Sequence, residues 1–383
     1  MERIEKSLMD RSEKRSLRSL SPADRRAEGR IHIEGRDYVD LSSNDYLGLS
    51  SHPKLKEASR DAVDSLGTSS CASRLLSGDL KLHHELEEEI ALFKNKESAL
   101  IFNSGYQANT GIIGAIYGRG DAIFSDRLNH ASIVDGITLS GAKLFRFRHN
   151  DPGHLENMLK KERKRFKEAL IITESIFSMD GDRAPLKELV DLKERYNCRI
   201  MVDEAHATGI FGARGSGVVE DENLEEDVDL IMGTFGKALG GFGAYIASTS
   251  DIIRYLVNFC RSFIYSTSLP PSIVAVNMES LKVIKDEPWR RKGLLENAAY
   301  LRSELQKSGL KARGSSQIIP LIIGDNEVAQ DFSERLKDAG YRALPIRPPT
   351  VPEGESRIRF SLTYNHTKDI LKGLLDEIYA FSK

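Results

Sequence analysis

Short apolar runs of strand length alternate with amphipathic helical segments over most of this chain, and this alternation limits its possible folds. Strands that alternate with helices form mostly parallel sheets covered by helices on both faces. One helix is indicated by Leu82, Leu86, Ile90 and Phe93, which recur at helical spacing with acidic residues between them. The apolar runs of strand length are Ala99–Phe102, Leu144–Phe147, Ala169–Thr173, Arg199–Val202, Leu230–Met232 and Ala244–Ala247. We therefore expect a large α/β domain around a mostly parallel sheet.

The pattern changes after the turn Ser268–Pro271, where a long helical region runs to about Lys307. The elements predicted beyond it are strands at Ile318–Ile323, Tyr341–Ile346 and Arg357–Leu362 and helices at Val328–Ala339 and Lys368–Phe381. This mixture is typical of a smaller α+β domain. We predict an N-terminal arm (1–40), a large domain (41–271) and a small C-terminal domain (272–383).

Composition argues against several classes of partner and site. The formal net charge is only -2 over 383 residues, which does not favour a nucleic acid or membrane partner. Cys71, Cys198 and Cys260 lie far apart in sequence, so no metal site is expected from them. The first residues lack the apolar core of a secretory signal, and no apolar stretch has membrane-spanning length. We expect a cytoplasmic protein.

A lysine within a glycine-rich turn, Gly233–Gly241, follows one of the predicted strands. Glycines allow the backbone to approach a ligand closely. Lys237 in such a turn can be partly desolvated, which favours the uncharged amine and its attack on a carbonyl carbon. An exposed lysine in a flexible turn is the simpler alternative for this segment alone. A Walker A phosphate loop is excluded, because Ala238 stands where that motif needs serine or threonine.

An acidic residue ends another predicted strand. Asp203 follows the apolar run Ile200–Val202, and the carboxyl ends of parallel strands are where open α/β sheets bind ligands. A carboxylate there can keep a pyridine nitrogen protonated, and His206, three residues on, can reach a neighbouring oxygen. A capping aspartate with a core histidine remains the alternative for this segment alone.

Three further positions have the chemistry of ligand contacts. The Ser104-Gly105-Tyr106 segment joins a strand to a helix, where free backbone N–H groups suit a phosphate, and Thr234 can add a hydroxyl. An ordinary helix N-cap is the commoner explanation of that turn. His130 can stack on a flat ring, and Ser178 can contact a ligand, but each can equally be structural.

The order of these candidates carries more information than any one of them. The chain contains, in this order, a phosphate turn, a histidine, an Asp-x-x-His motif and a lysine after a later strand. Together these groups suit pyridoxal 5'-phosphate (PLP). The chain resembles the α-oxoamine synthase family of fold-type I PLP-dependent transferases from about Leu41 to Ile378. The stretches that carry this resemblance are SSNDYLGLS (42–50), SRLLSG (73–78), FNSGYQAN (102–109), FSMDGD (177–182), VDEAHATG (202–209), GTFGKALG (233–240) and YSTSLPP (265–271).

The resemblance implies roles for the site residues around PLP. Lys237 is expected to hold the cofactor as a Schiff base, and Asp203 to pair with its pyridine nitrogen. His206 is expected to contact the phenolic oxygen and His130 to stack on the ring. The remaining cofactor contacts implied in this way are Gly105, Tyr106, Ser178 and Thr234, with Thr267 and Ser268 reaching the neighbouring subunit's phosphate in a homodimer.

The resemblance also implies the substrates. Arg359 is expected to bind an amino-acid carboxylate in a bidentate fork, and Arg18 and Thr350 to contact an acyl group. The stretches 346–352, 356–359, 149–151 and 324–326 are most similar to the family branch that joins L-alanine to a pimeloyl thioester of CoA or a carrier protein, with loss of CO2. Alternatives within the family are a branch using glycine and acetyl-CoA and, further off, the branches that form 5-aminolevulinate or use serine and palmitoyl-CoA. Alternatives outside it are an aminotransferase or lyase on the same fold and an inactive PLP-binding protein.

Overall fold

The computed structural model describes residues 1–13, 17 and 20–381 of the chain. The strands of this part are β1 (Arg25–Ala27), β2 (Arg30–Ile33), β3 (Arg36–Asp40), β4 (Ser98–Phe102), β5 (Ala122–Asp126), β6 (Lys143–Phe147), β7 (Ala169–Glu174), β8 (Arg199–Asp203), β9 (Leu230–Thr234), β10 (Ala244–Ser248), β11 (Ile318–Gly324), β12 (Tyr341–Arg342), β13 (Pro345–Ile346) and β14 (Ser356–Ser361). The helices are α1 (Glu2–Glu13), α2 (Pro53–Leu66), α3 (Lys81–Lys94), α4 (Gly105–Ile116), α5 (Ala131–Ser140), α6 (Pro152–Glu162), α7 (Leu186–Arg195), α8 (Val218–Asp221), α9 (Ser250–Phe259), α10 (Arg261–Ile264), α11 (Pro271–Asp286), α12 (Trp289–Lys307), α13 (Asn326–Asp338) and α14 (Lys368–Phe381). None of the helices in this part is both long enough and apolar enough to cross a bilayer.

The larger of two compact units, Asn44–Ser178 with Asp182–Gly293, is built on a seven-stranded sheet in the order β4-β10-β9-β8-β7-β5-β6. Strands β6, β5, β7, β8 and β9 pair in parallel, whereas β10 runs antiparallel to both of its neighbours. The mostly parallel sheet predicted from the sequence is therefore confirmed. This unit continues to Gly293, beyond the predicted boundary at residue 271, because α11 packs against α2 and α3.

The core of the larger unit lies where helices cover this sheet. Every residue of β7 is buried, as expected for a central parallel strand covered on both faces. Buried side chains of α4 and α5, including Ile112, Ile113, Ile133 and Ile137, pack with strand residues in one hydrophobic cluster. These contacts fix the amino ends of both helices near the carboxyl ends of the strands.

One strand was missed from the sequence. Strand β5 was not predicted, because only three apolar residues precede Ser125 and Asp126, yet all five of its residues are buried between β6 and β7. The long helical region predicted after Pro271 is confirmed, and it consists of two helices, α11 and α12. They are interrupted next to Pro288, since proline lacks the N–H that a helix interior requires.

The smaller unit consists of the described residues of Met1–Ser43, Met179–Gly181 and Leu294–Lys383. It contains a four-stranded sheet, β1-β2-β3-β12, and a three-stranded sheet, β11-β14-β13. Strand β12 pairs in parallel with β3, with Tyr341 opposite Val39. Residues of the predicted arm (1–40) and of the predicted C-terminal domain thus belong to one compact unit, in which β3 pairs with β12.

Candidate active site

The carboxyl ends of three neighbouring parallel strands in the larger unit meet at one edge of its sheet. Strands β7, β8 and β9 end at Glu174, Asp203 and Thr234, respectively. These residues line a cavity of about 310 Å³, to which the amino end of α4 and the loop after β9 also contribute. This volume is at the lower end of the range for small-molecule sites, and strand ends are the usual place for them in open α/β sheets.

A lysine from the loop after β9 and a histidine from the loop after β8 meet in this cavity. Nζ of Lys237 lies 2.9 Å from Nε2 of His206. Nδ1 of His206 lies 2.7 Å from the hydroxyl of Tyr46, which in turn donates to Oδ1 of Asn44 at 3.0 Å. If the ammonium group donates to Nε2, the hydrogen on Nδ1 points to Tyr46. The four side chains then form one directed row of hydrogen bonds, from Lys237 to Asn44.

The carboxylate of Asp203 is buried and held by two donors. Its Oδ2 accepts from the side-chain amide of Asn109 at 3.0 Å, and its Oδ1 accepts from the backbone N–H of Ala205 at 2.9 Å. Nδ2 of Asn109 also donates to Oγ of Ser132 at 2.9 Å. These donors fix the direction of the carboxylate in the cavity.

His130 begins α5 and presents an uncharged imidazole to the cavity. Its Nδ1 accepts from the backbone N–H of Ser132 at 3.3 Å, as an N-cap acceptor does. Burial lowers the pKa of His130, although the charge of Asp203 acts in the opposite direction. The hydrogen of the neutral ring is therefore assigned to Nε2.

The amino end of α4 forms a polar corner of the cavity. Ser104 is the N-cap, and its hydroxyl accepts from the backbone N–H of Gln107 at 3.1 Å. A Cβ at Gly105 would lie only 2.9 Å from Cγ2 of Thr234, so a side chain there would collide with the end of β9. The hydroxyl of Thr234 is buried and has no hydrogen-bond partner among the described residues. This corner has donors available for an anionic group.

A fully buried ion pair lies behind the strand end that carries Asp203. Nζ of Lys94, the last residue of α3, donates to Oε2 of Glu204 at 2.7 Å and to the hydroxyl of Thr208 at 3.2 Å. The other carboxylate oxygen of Glu204 accepts from the backbone N–H of Val219 at 2.9 Å. The pair anchors the segment 203–208, which carries both Asp203 and His206.

A charged histidine fixes the loop between β7 and α7. His149 lies 3.0 Å from a carboxylate oxygen of Asp126 and 2.8 Å from one of Asp182, and its ring meets Phe177 edge to face. Burial disfavours the charge on this imidazole, but the hydrogen bonds to the two carboxylates outweigh it and raise the pKa of His149 to about 9. The imidazolium joins β5 to the loop that contains Ser178.

Residues 36–378 match the family described as aminotransferase class I and II. This chain belongs to that family. It is 48% identical to the 8-amino-7-oxononanoate synthase of Geobacter sulfurreducens, over 94% of this chain and 91% of the relative.

Solved structures place this member of the family among the fold-type I transferases. Serine palmitoyltransferase of Sphingomonas wittichii matches with a TM-score of 0.93 and 32% identity, over 98% of this chain and 96% of that one. The 8-amino-7-oxononanoate synthase of Francisella tularensis matches with a TM-score of 0.78 and 30% identity, over 90% and 97%. The resemblance to α-oxoamine synthases and the predicted fold class are confirmed.

The aminotransferase-family fold brings together most of the predicted site residues. The cavity lining includes Gly105, Tyr106, His130, Asp203, His206, Thr234 and Lys237. The described lining does not include Ser178, Thr267 or Ser268. Ser268 instead donates to the backbone carbonyls of Ala72 and Gly78 of its own chain, at 3.1 and 2.6 Å.

Two of the three predicted substrate contacts, Arg359 and Thr350, belong to the smaller unit. Arg359 is buried in β14 and donates to the hydroxyl of Ser361. Thr350 is exposed, and its backbone N–H donates to the carbonyl of Arg347 at 3.0 Å. Arg18 lies outside the described residues. The roles of these three residues remain predictions.

Sequence reasoning missed four polar residues of the site. Asn109, Ser132 and Glu174 line the cavity, and Tyr46 orients His206. Glu174 could have been found, because it directly follows a predicted apolar strand, just as Asp203 does. Asn109 and Tyr46 gave no such signal, since their contacts to Asp203 and His206 span 94 and 160 residues of sequence.

Proposed function

We propose that this chain acts as an 8-amino-7-oxononanoate synthase. It condenses L-alanine with the pimeloyl thioester of CoA or of a carrier protein and releases 8-amino-7-oxononanoate, CO2 and the free thiol, a reaction of biotin biosynthesis. Relatives of this name share up to 48% identity over more than nine-tenths of the chain. The observation that carries the proposal is that the amine of Lys237 and the carboxylate of Asp203 line one cavity of the size of a small ligand.

The residues of this cavity suit PLP. Asp203 can pair with a protonated pyridine nitrogen, and Lys237 can bind the aldehyde carbon. The unpartnered hydroxyl of Thr234 and the N–H groups at the start of α4 suit the phosphate, and Gly105 leaves room beside them. Solved structures that match this chain include a serine palmitoyltransferase described with a PLP internal aldimine, at a TM-score of 0.95. PLP, when bound, supplies the electron sink for negative charge at the amino acid's α carbon.

The side chains of the larger unit supply the proton transfers. Lys237 would be freed when the amino group of alanine takes its place on the aldehyde carbon. Its amine would then be the base that removes the α-proton of alanine, and it would return a proton after CO2 has left. His206, which is held by Tyr46, hydrogen-bonds the amine of Lys237 and so fixes the starting position of that amine. The charged carboxylate of Asp203 holds the proton on the pyridine nitrogen. The neutral ring of His130 lies against the cofactor and adds no charge there.

Substrate selection is assigned to residues outside this cavity lining. Arg359 binds the alanine carboxylate in a bidentate fork, which sets the direction of the α C–H bond. Thr350 and Arg18 contact the acyl chain. Thr267 and Ser268 act across a homodimer interface on the neighbouring subunit's phosphate, and Ser178 contacts the cofactor ring. A cytoplasmic homodimer is part of the same proposal.

The main competing function is another reaction of the same family. Serine palmitoyltransferases match the fold with higher TM-scores than the Francisella synthase does. Their identity of 30–32% is well below the 48% shared with the Geobacter synthase, and members of one fold family share a fold whatever their substrate. A glycine and acetyl-CoA reaction differs from the proposed one in its acyl donor and by a methyl group on the amino acid, and pockets discriminate a single methyl group only modestly.

A donor and acceptor screen tests the proposal. Purified PLP-loaded protein is mixed with alanine, glycine or serine, and with pimeloyl-, acetyl- or palmitoyl-CoA, and the thiol and CO2 released are measured. We expect the highest kcat/KM with alanine and pimeloyl-CoA. Preference for another pair would assign the chain to another family branch, and absence of thiol release with every pair, together with amino-group transfer to a keto acid, would indicate an aminotransferase.

A further inference from the structure

Two carboxyl side chains lie next to each other at the edge of the larger unit's sheet. Glu174 and Asp203 end the neighbouring parallel strands β7 and β8 and are direct partners in their register. Residues opposite each other in parallel strands point to the same face. Both residues line the cavity, with exposed fractions of only 3% and 4%. The proposed reaction uses Asp203 and gives no role to Glu174.

The hydrogen bonds of the two carboxyl groups are unequal. Asp203 accepts from the side-chain amide of Asn109 and from the backbone N–H of Ala205. Glu174 accepts from the backbone N–H of His130, at 2.6 Å. Two adjacent carboxylates with little access to water cannot both carry their charge without a large cost, and the group with more donors keeps the charge more easily. Asp203 is therefore the better site for the negative charge.

The groups around Glu174 favour its neutral form. Burial raises the pKa of Glu174 from its ordinary value of 4.5 to about 8, and the charges of Asp203 and Asp126 act in the same direction. The charge of Lys237 and the hydrogen bond from His130 oppose this rise and are outweighed. Asp203 lies on β8, Asp126 on β5, Lys237 in the loop after β9 and His130 at the start of α5.

We propose that Glu174 keeps its proton at neutral pH and so leaves Asp203 as the single negative charge of this pair. Glu174 is thus a positioning residue that acts through Asp203. With Glu174 neutral, Asp203 keeps its place without repulsion and directs its charge to the pyridine nitrogen. This last consequence rests on the proposed function, whereas the protonation of Glu174 does not.

The protonation can be tested on the PLP-free protein. A carboxyl group that stays protonated in the folded chain but ionises in the unfolded chain makes stability fall as pH rises from about 5 to about 8. Glu174→Gln keeps an acceptor for His130 but cannot ionise. The melting temperature of the variant minus that of the wild type should therefore increase by roughly 5 °C between pH 5 and pH 8. The exposed Glu188→Gln is the matched control and should show a difference that does not change with pH.

Infrared spectroscopy of the wild-type protein tests the protonation of Glu174 even if Glu174→Gln does not fold. The C=O stretch of a protonated carboxylic acid should remain in the wild-type spectrum near pH 7 and disappear above about pH 8, because ordinary carboxyl groups have ionised well below pH 7. Absence of this band at pH 7, or a melting difference for Glu174→Gln that is the same from pH 5 to pH 8, overturns the inference.

The link to the cofactor needs a second measurement. The absorbance of PLP-loaded protein is titrated with pH in the wild type and in Glu174→Gln. Ionised Glu174 adds negative charge near the cofactor and Lys237, so the wild-type transition should lie about one pH unit higher than in the variant. Identical titrations would overturn the coupling through Asp203. If neither protein binds PLP, the proposed function fails while the result for the PLP-free protein stands.

Discussion

The amine of Lys237 lies 2.9 Å from Nε2 of His206, and the opposite ring nitrogen of that histidine is 2.7 Å from the hydroxyl of Tyr46. These two contacts join the loops after β9 and β8 to the segment that precedes α2. We therefore expect the position of the Lys237 amine to depend on Tyr46, which is not part of the cavity lining. This relationship leads to the first prediction.

Tyr46→Phe should lower activity without abolishing it. The variant removes the hydroxyl that hydrogen-bonds Nδ1 of His206, and the loss of one such bond costs about 0.5–1.5 kcal/mol of stability. We expect kcat to fall by about tenfold as the amine loses its fixed position, equivalent to about 1.4 kcal/mol. Steady-state kinetics with the preferred thioester and thermal unfolding measure the two effects. Tyr300→Phe is the control, and equal kinetics in the two variants would show that Tyr46 does not position Lys237.

Lys237→Ala should remove the reaction. Without the amine, PLP is no longer bound covalently, and the protein loses both its base and its nucleophile. We expect turnover to fall by at least about 10³-fold and the near-visible absorbance of the covalently bound cofactor to disappear. The exposed Lys187→Ala serves as the control. Normal turnover in the Lys237 variant would disprove the assignment of the reactive lysine.

The buried pair of Lys94 and Glu204 should show a strongly asymmetric response to substitution. Lys94→Met leaves a carboxylate buried without its counter-ion, which costs about 3–5 kcal/mol in the free energy of unfolding. The double variant Lys94→Met/Glu204→Gln removes that charge as well and should recover part of the loss. Urea unfolding measures all three proteins. A double variant less stable than Lys94→Met would contradict the explanation by an unpaired charge.

His149 should make stability depend on pH on the alkaline side. Its pKa is raised to about 9 in the folded chain, from an ordinary value of 6.5. The stabilisation is therefore fully present below about pH 6.5 and is lost as pH rises to about 9, with an upper bound of about 3 kcal/mol. His149→Gln should remove this part of the pH dependence in thermal unfolding. An unchanged alkaline slope in the variant would show that the imidazolium is not the cause.

The sequence alone was sufficient to predict the mostly parallel sheet and the most characteristic residues of the site. Apolar runs of strand length mark strands buried on both faces, and Asp203 and Lys237 stand at or just after the ends of such strands. Strand ends in a parallel sheet meet at one edge whatever the order of the strands. The positions of Asp203 and Lys237 after such strands therefore place both at this edge, and the pairing of β8 with β9 brings them into one cavity.

The tertiary structure decided the contacts that depend on which strands are neighbours. Glu174 meets Asp203 only because β7 pairs with β8, and β5 became a strand because the sheet buries it between two others. The grouping of the N-terminal strands with β12 likewise needed a pairing across about 300 residues. A local sequence pattern indicates that a segment is buried, but it does not indicate which strands that segment pairs with. The pairing of strands, and with it the shared electrostatics of Glu174 and Asp203, is set by packing over long sequence separations.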